Sequence, residues 1–360
     1  MTSATVTAQT LGDMPWLVLR GERLAVFRAL GEHARADIRA VIGGMPELTG
    51  LRRRAASPAG AETLRTIAAA SRQRHPREWA ELAAIADGAG VALDDLLLLN
   101  LRGDLGDGDG TGCTDLAYVH PQRAVLAHNE DGSALLDGRC ALLTLVIDGD
   151  EAVTTWWYPG FIPANTFVLT GHGLVWGIDH LTAPRPAEAP GRHFLARALQ
   201  RCATLAEVVE RLTRTPTAGG FAYTIGRVGH PEAAVVEAAA GRAWTSPVRP
   251  EQPFCWHTNH ARNLPDGMIS SYPNSEQRGS FLAGLAVPEH PSVEWFLDIL
   301  AGAGLPHGVL RTGEGGGETV TLGTFAVDLL ARQATLLRRG GTPVPLPVAD
   351  LLAGRTRAQA

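Results

Sequence analysis

At 360 residues, with 45% apolar and 19% charged residues, the chain has the composition of an ordinary globular protein, long enough for one large domain or a domain with an arm. A net charge of −5 argues against a nucleic-acid partner, and no run of about 18 apolar residues suggests a membrane span. All 32 cationic residues are arginine, which excludes lysine catalysis and Schiff-base cofactors, and the four cysteines (Cys113, Cys140, Cys202, Cys255) form no C-x-x-C pair of a zinc ribbon or redox motif.

The first 21 residues lack a charged stretch followed by an apolar core, so no signal peptide is expected, and the expected compartment is the cytoplasm, where thiols stay reduced. Residues 1–112 read as mostly helical. Arg23–Ile42, Ala61–Ala70 and Glu78–Gly88 carry apolar residues at helical spacing, with a stop at Gly88-Ala89-Gly90. Asp94-Asp95 heads a short helix, Leu96–Leu101, where acidic residues suit the positive helix end.

A Gly/Asp-rich loop, Gly103–Thr111, then leads to Gly112-Cys113-Thr114-Asp115 and a strand-like run, Leu116–Val119. Strands follow at Ala124–His128, Cys140–Asp148, Ala152–Tyr158, Thr166–Thr170 and Leu174–Ile178. His193–Leu212 is helical, with a break re-capped at Thr204. Strands return at Tyr223–Val228, Ala233–Ala238 and Phe254–Asn259, helices at Ser275–Leu285 and Ser292–Ala301, and a hairpin closes the pattern at Thr319–Asp328 and Gln333–Arg338. Pro184–Pro190 and Gly313–Gly317 read as surface loops, the second lacking the Lys-Ser/Thr of a phosphate loop. Helices, then strands, then both again predict an α+β domain with sheets inside and helices outside.

Cys113 sits between a flexible loop and a buried strand, a place from which a thiol can attack its own preceding peptide bond. Cleavage of Gly112–Cys113 would free an α-amine with a pKa near ~8, so that one residue carries both nucleophile and base. A lone cysteine is ordinarily a small buried apolar residue, and the reading depends on its company.

That company is specific. Glu81–Val91 (ELAAIADGAGV) with Leu97–Arg102 (LLLNLR), Gly112-Cys113-Thr114, His128-Asn129-Glu130-Asp131, His257-Thr258-Asn259-His260, Ser275-Glu276-Gln277-Arg278 and the hairpin Thr319–Arg338 follow one another in the order of a known family. From about Glu78 onward the chain resembles the acyl-CoA:6-aminopenicillanate acyltransferases, the C45 peptidases of the N-terminal nucleophile (Ntn) hydrolase superfamily. More distantly it is similar to the bile-salt and penicillin V hydrolases.

The resemblance implies a four-layer αββα sandwich of the Ntn-hydrolase type, with a helical N-terminal segment (1–112, the α chain after cleavage) and a catalytic segment (113–360, the β chain). It implies self-cleavage at Gly112-Cys113-Thr114-Asp115, after which Cys113 forms a thioester with a small amide or peptide-like substrate. Asp131 would orient the α-ammonium, Asn259 would donate to the oxyanion, and Arg278 would hold Asp131 or the thiolate. Asn129, Trp156, Trp157 and His257 are candidate substrate-binding residues, although a Trp156-Trp157-Tyr158 cluster also suits a core.

No cofactor is expected. An acyl-CoA is a possible acyl-donor substrate, the two segments are expected to stay associated, a homo-oligomer is possible, and secondary metabolism is the expected setting. No metal site is expected: His257 and His260 point in different directions, and Asp107-x-Asp109-Gly110 lacks the distal glutamate of a calcium loop. One departure stands out. The fungal acyltransferase junction continues Cys-Thr-Thr, whereas here the third residue is Asp115, which either impedes cleavage or helps expel the amine. Two other readings stay open at this point: an uncleaved pseudoenzyme or binding protein on the same fold, and an unprocessed thiol hydrolase pairing Cys113 with His128 or His257.

Overall fold

A computed structural model describes residues 4–105, 112–164, 167–313 and 319–356. Most of the loop before Cys113 (106–111) and of the glycine-rich stretch near 315 (314–318) lies outside the described residues, as do the calcium-loop and phosphate-loop readings made there.

The chain opens on a hairpin, β1 (Ala4–Leu11) and β2 (Met14–Gly21), that the sequence reading does not anticipate, and is then mostly helical up to Asp104, as expected. Thr5, Val6, Thr7 and Thr10 supply β-branched residues, and Gly12, at φ 61, turns the chain. Six helices follow: α1 (Arg23–His33), α2 (Arg35–Gly44), α3 (Pro46–Ala55), α4 (Pro58–Arg74), α5 (Pro76–Ala89) and α6 (Leu93–Asn100). Pro46, Pro58 and Pro76 each start a helix, where the missing N–H would have been unpaired anyway. Arg23–Ile42 is thus two helices meeting at Ala34, and α5 ends at Gly90 in the left-handed conformation.

Among the described residues the strands form two sheets. The larger has nine strands in the order β1, β2, β5 (Ala141–Ile147), β6 (Val153–Trp157), β7 (Val168–Thr170), β8 (Leu174–Leu181), β9 (Gly220–Arg227), β10 (Ala233–Ala239), β11 (Arg242–Pro247). The smaller has six: β12 (Phe254–His257), β3 (Thr114–His120), β4 (Arg123–Ser133), β13 (Thr319–Asp328), β14 (Gln333–Arg338), β15 (Val344–Pro347). All neighbours run antiparallel except β2 and β5, which pair in parallel.

β3 and β4 lie against β8 and β9, so the two sheets face each other. α1 packs on β1 and β2, and α8 (Leu205–Arg214) on β10 and β11; α7 (Arg192–Leu199) precedes it, and Thr204 caps α8 as expected. On the far side, α9 (Pro273–Ala283) contacts β12 and α10 (Val293–Ala301) covers β4 and β13. There Leu116, Tyr118, Val125 and Ala127 meet Leu282, Phe296 and Leu300. A last helix, α11 (Val348–Ala353), seats on β5 and β6.

Candidate active site

Strand alternation builds the site. Along β3 and β4, Leu116, Tyr118, Val125 and Ala127 point at α9 and α10, so Asp115, Ala117, Ala124, Leu126, His128 and Glu130 point between the sheets. The register sets Asp115 opposite His128 and Thr114 opposite Asn129; carried one residue further, it sets Cys113 opposite Glu130. At this end of the sheets the inward positions are polar.

The side chains join accordingly. Cys113 Sγ lies 3.5 Å from Glu130 Oε2 and 3.9 Å from the Asp131 carbonyl oxygen. His128 bridges two acids, with Nδ1 2.8 Å from Asp115 Oδ1 and Nε2 3.0 Å from Glu130 Oε2. The Tyr158 hydroxyl donates to the other oxygen of Glu130. Gly177 on β8 leaves room for this group: a Cβ there would stand 1.9 Å from Asp115 Oδ1 and 2.6 Å from His128 Nδ1.

From the α9 side comes Arg278, 1% exposed. Its guanidinium donates to the Cys113 carbonyl, to Thr114 Oγ1 at 2.8 Å and to Asn259 Oδ1 at 2.6 Å, while Nε donates to Asn274. Asn259 in turn donates from Nδ2 to the His180 carbonyl at 3.1 Å. Gly112 lies directly beneath: a Cβ on it would meet Arg278 Nη2 at 2.3 Å and Asn259 Oδ1 at 2.5 Å. Asp131 accepts from Thr321 Oγ1 at 2.6 Å through Oδ1, and its buried Oδ2 has no hydrogen-bond partner among the described residues.

Burial governs the protonation of these groups. It raises the Cys113 thiol well above its ordinary value, and the Glu130 charge adds to this while His128 opposes it. It also lifts the Asp131 carboxyl to about 7 against the pull of Arg278. Burial works to lower the His128 pKa, but Asp115 more than offsets it with help from Glu130, so the imidazole is held well above its usual range.

Cys113, Asn259 and Arg278 are thus brought together, with Asp131 close enough to bear on the Cys113 thiol. The candidate substrate-binding residues fare differently. Asn129 sits on the helix side, giving Nδ2 to the Leu300 carbonyl and accepting from Thr324, so its amide is spent between sheet and helix. Trp157 is core, its indole N–H bonded to the Phe161 carbonyl at 2.7 Å. Trp156 does reach the site's edge, lining with Glu130, Phe167 and Thr324 a void of about 10 Å³.

His257 sits opposite Asp115 across the β12–β3 pair, its ring nitrogens held by Asp179 at 3.2 Å and Glu237 at 3.1 Å rather than by the thiol. It also lines a cavity of about 810 Å³ with Trp256, Arg262, Phe254 and Leu282, and Cys113 is not among the lining residues. The sequence reading missed Glu130 and Tyr158. The metal readings at His257 and His260, at Asp107–Gly110 and at the cysteines do not include the two groups whose atoms lie within 4.8 Å of one another: Cys113, His128 and Glu130, and Asp115, His128 and Asp179. A metal at either set would have to displace the hydrogen bonds that His128 makes to Asp115 and Glu130.

The family described as acyl-coenzyme A:6-aminopenicillanic acid acyl-transferase matches residues 119–337, more than half of the sequence. The chain belongs to this family. The match takes in Asp131, Asn259 and Arg278 and begins just after Cys113. No curated protein sequence matches the chain. Two solved structures of variant forms of the conjugated bile acid hydrolase from Clostridium perfringens are 13% identical, with TM-scores of 0.45 and 0.44, each covering 68% of this chain and 95% of its own.

Proposed function

We propose that the protein is a cysteine amidohydrolase or acyltransferase of the Ntn type, activated by its own cleavage at Gly112–Cys113 and acting on a small amide through a Cys113 thioester. The observation that carries this reading is the Arg278 bridge. One buried guanidinium ties the Cys113 carbonyl to the Asn259 side chain directly over Gly112, so the scissile junction and an amide donor share one anchor.

Cleavage would create an α-ammonium beside Asp131, whose buried Oδ2 is open to receive it. The α-amine would then take the thiol proton in each turnover and return it to the leaving amine. Asn259, held by Arg278, would donate its amide N–H to the oxyanion, a contribution typically worth about 10²–10³ in rate. Whether water or a second amine resolves the thioester depends on how well the acyl site excludes water.

The test is denaturing mass spectrometry of the purified protein beside Cys113→Ala. Two fragments meeting at Gly112/Cys113 in the parent, with one chain in the variant, support self-cleavage. A parent that stays whole overturns it. A second reading has its own observation: His128, with Asp115 on its far nitrogen, lies near Cys113 as in an unprocessed Cys-His-Asp hydrolase. An uncut chain that turns over amides and loses activity in His128→Asn would establish that reading instead. His257, held by Asp179 and Glu237, has no such geometry.

A further inference from the structure

Self-cleavage raises a chemical question of its own. Before the Gly112–Cys113 bond breaks, the Cys113 nitrogen is an amide and cannot act as a base, so some other group must take the thiol proton. Burial and a neighbouring negative charge both hold that proton on sulfur. The acceptor must therefore be in direct contact and held by its surroundings.

We infer that Glu130 is the general base of the maturation step, accepting the Cys113 proton so that sulfur can attack the Gly112 carbonyl. This rests on the self-cleavage reading above and adds a residue to it. Glu130 Oε2 is 3.5 Å from Sγ; His128 also hydrogen-bonds to the thiol, but both of its ring nitrogens face carboxylates, Asp115 at 2.8 Å and Glu130 at 3.0 Å, which keep it a proton donor rather than an acceptor. The carboxylate is locked from both ends, His128 Nε2 on the same oxygen at 3.0 Å and the Tyr158 hydroxyl on the other. Asp115 fixes the His128 ring through Nδ1, which makes His128, Asp115 and Tyr158 positioning residues. Asp115, the residue that departs from the fungal junction, thereby gains a role: it orients the imidazole that orients the base.

The step balances. Oε2 takes the proton from Sγ, and the thiolate adds to the Gly112 carbonyl carbon beneath Arg278 and Asn259. The C–N bond breaks as the Cys113 nitrogen takes the proton back from Glu130, leaving a Gly112 thioester on Cys113 and a free α-amine. Water then hydrolyses the thioester to a Gly112 carboxylate and the thiol. From that point the α-amine serves as the base for substrate.

The experiment follows cleavage of full-length chains by denaturing mass spectrometry over time in the parent, Glu130→Gln, Glu130→Asp and Glu130→Ala with and without added formate. The expected results are cleavage slowed at least about 100-fold in Glu130→Gln, in line with general-base contributions. Glu130→Asp should be intermediate, and formate, a small carboxylate, should partly restore Glu130→Ala. A merely structural carboxylate would not give rescue by formate. Should the glutamine and alanine variants fail to fold, Glu130→Asp and Tyr158→Phe decide, each expected to cleave several-fold slower. Cleavage at the parent rate in Glu130→Gln, or in both of those milder variants, overturns the inference and leaves self-cleavage standing. A parent that never cleaves overturns both.

Discussion

Arg278 reaches from α9 to the carbonyl oxygen of Cys113 at the head of β3, binding a helix on one side of the small sheet to the backbone of the residue that would do the chemistry. Its planar fork and Nε serve four acceptors at once, one more than the three N–H groups of a lysine ammonium and spread over a span a single nitrogen cannot cover. Arg278→Lys keeps the buried cation near Asp131 and loses the fork. Its expected effect is cleavage slowed by about 10²–10³ with the fold retained. Timed mass spectrometry beside circular dichroism checks this, and unimpaired cleavage would refute the anchoring role.

Gly112 is required by space. A methyl group there would press on the Arg278 guanidinium and the Asn259 oxygen, both held by further partners. Gly112→Ala is expected to hold the chain uncut over times in which the parent is fully cleaved, visible as a single band in a denaturing gel.

On β8, Gly177→Ala would force apart Asp115 and His128. Overpacking of this kind typically costs about 1–3 kcal/mol. The expected outcome, measured by thermal unfolding in a Cys113→Ala background where every molecule is one chain, is a lower Tm; an unchanged Tm would contradict the close contact.

His257 predicts a pH dependence. Burial acts to lower its pKa, but hydrogen bonds to Asp179 and Glu237 raise it to about 9, above the ordinary 6.5. The folded state therefore holds the proton more tightly than the unfolded chain. The stability this confers is whole below pH 6.5 and is lost as pH rises through about 9. Between those values the Tm of Cys113→Ala should fall more steeply than that of the same chain carrying His257→Gln, and parallel curves would dismiss the effect.

Thiol reactivity offers a separate test. With its pKa pushed well up by burial and by Glu130, Cys113 should resist iodoacetamide at pH 8 in the uncut Gly112→Ala chain. In cleaved protein, an adjacent α-ammonium should make it the first cysteine alkylated, as read by peptide mapping.

Much of the smaller sheet was legible from residues alone. β13 and β14 coincide with the predicted hairpin because their apolar, β-branched runs are cleanly bounded, and Thr204 caps α8 through its side chain as its residue type suggests. β1, β2, β11 and β15 are not legible in the pattern; the continuous apolar run Trp16–Leu19 of β2, for one, lacks the alternation that marks a half-buried strand and suits a helix equally. Glu130 was missed for a more instructive reason. The predicted strand stops at His128, ahead of Asn129, Asp131 and Gly132, which are poor strand formers, yet β4 runs on to Ser133. Continuing the two-residue alternation through Glu130 would have put Cys113, Asp115, His128 and Glu130 on one face. The hydrogen bonds of Arg278, in contrast, depend on where α9 docks, which no local pattern encodes.

The parallel pairing of β2 with β5 decides what a cut at Gly112–Cys113 would leave behind. Those strands come from opposite sides of the Gly112–Cys113 bond, and six residue pairs from Trp16–Leu142 to Gly21–Ile147 stitch them together one strand in from the edge of the nine-stranded sheet. Severing that bond would give a two-polypeptide protein whose pieces share a single sheet and a single hydrophobic interior. Such a pair has no docking interface to dissociate at; its halves could part only by unravelling, and dilution alone would not separate them.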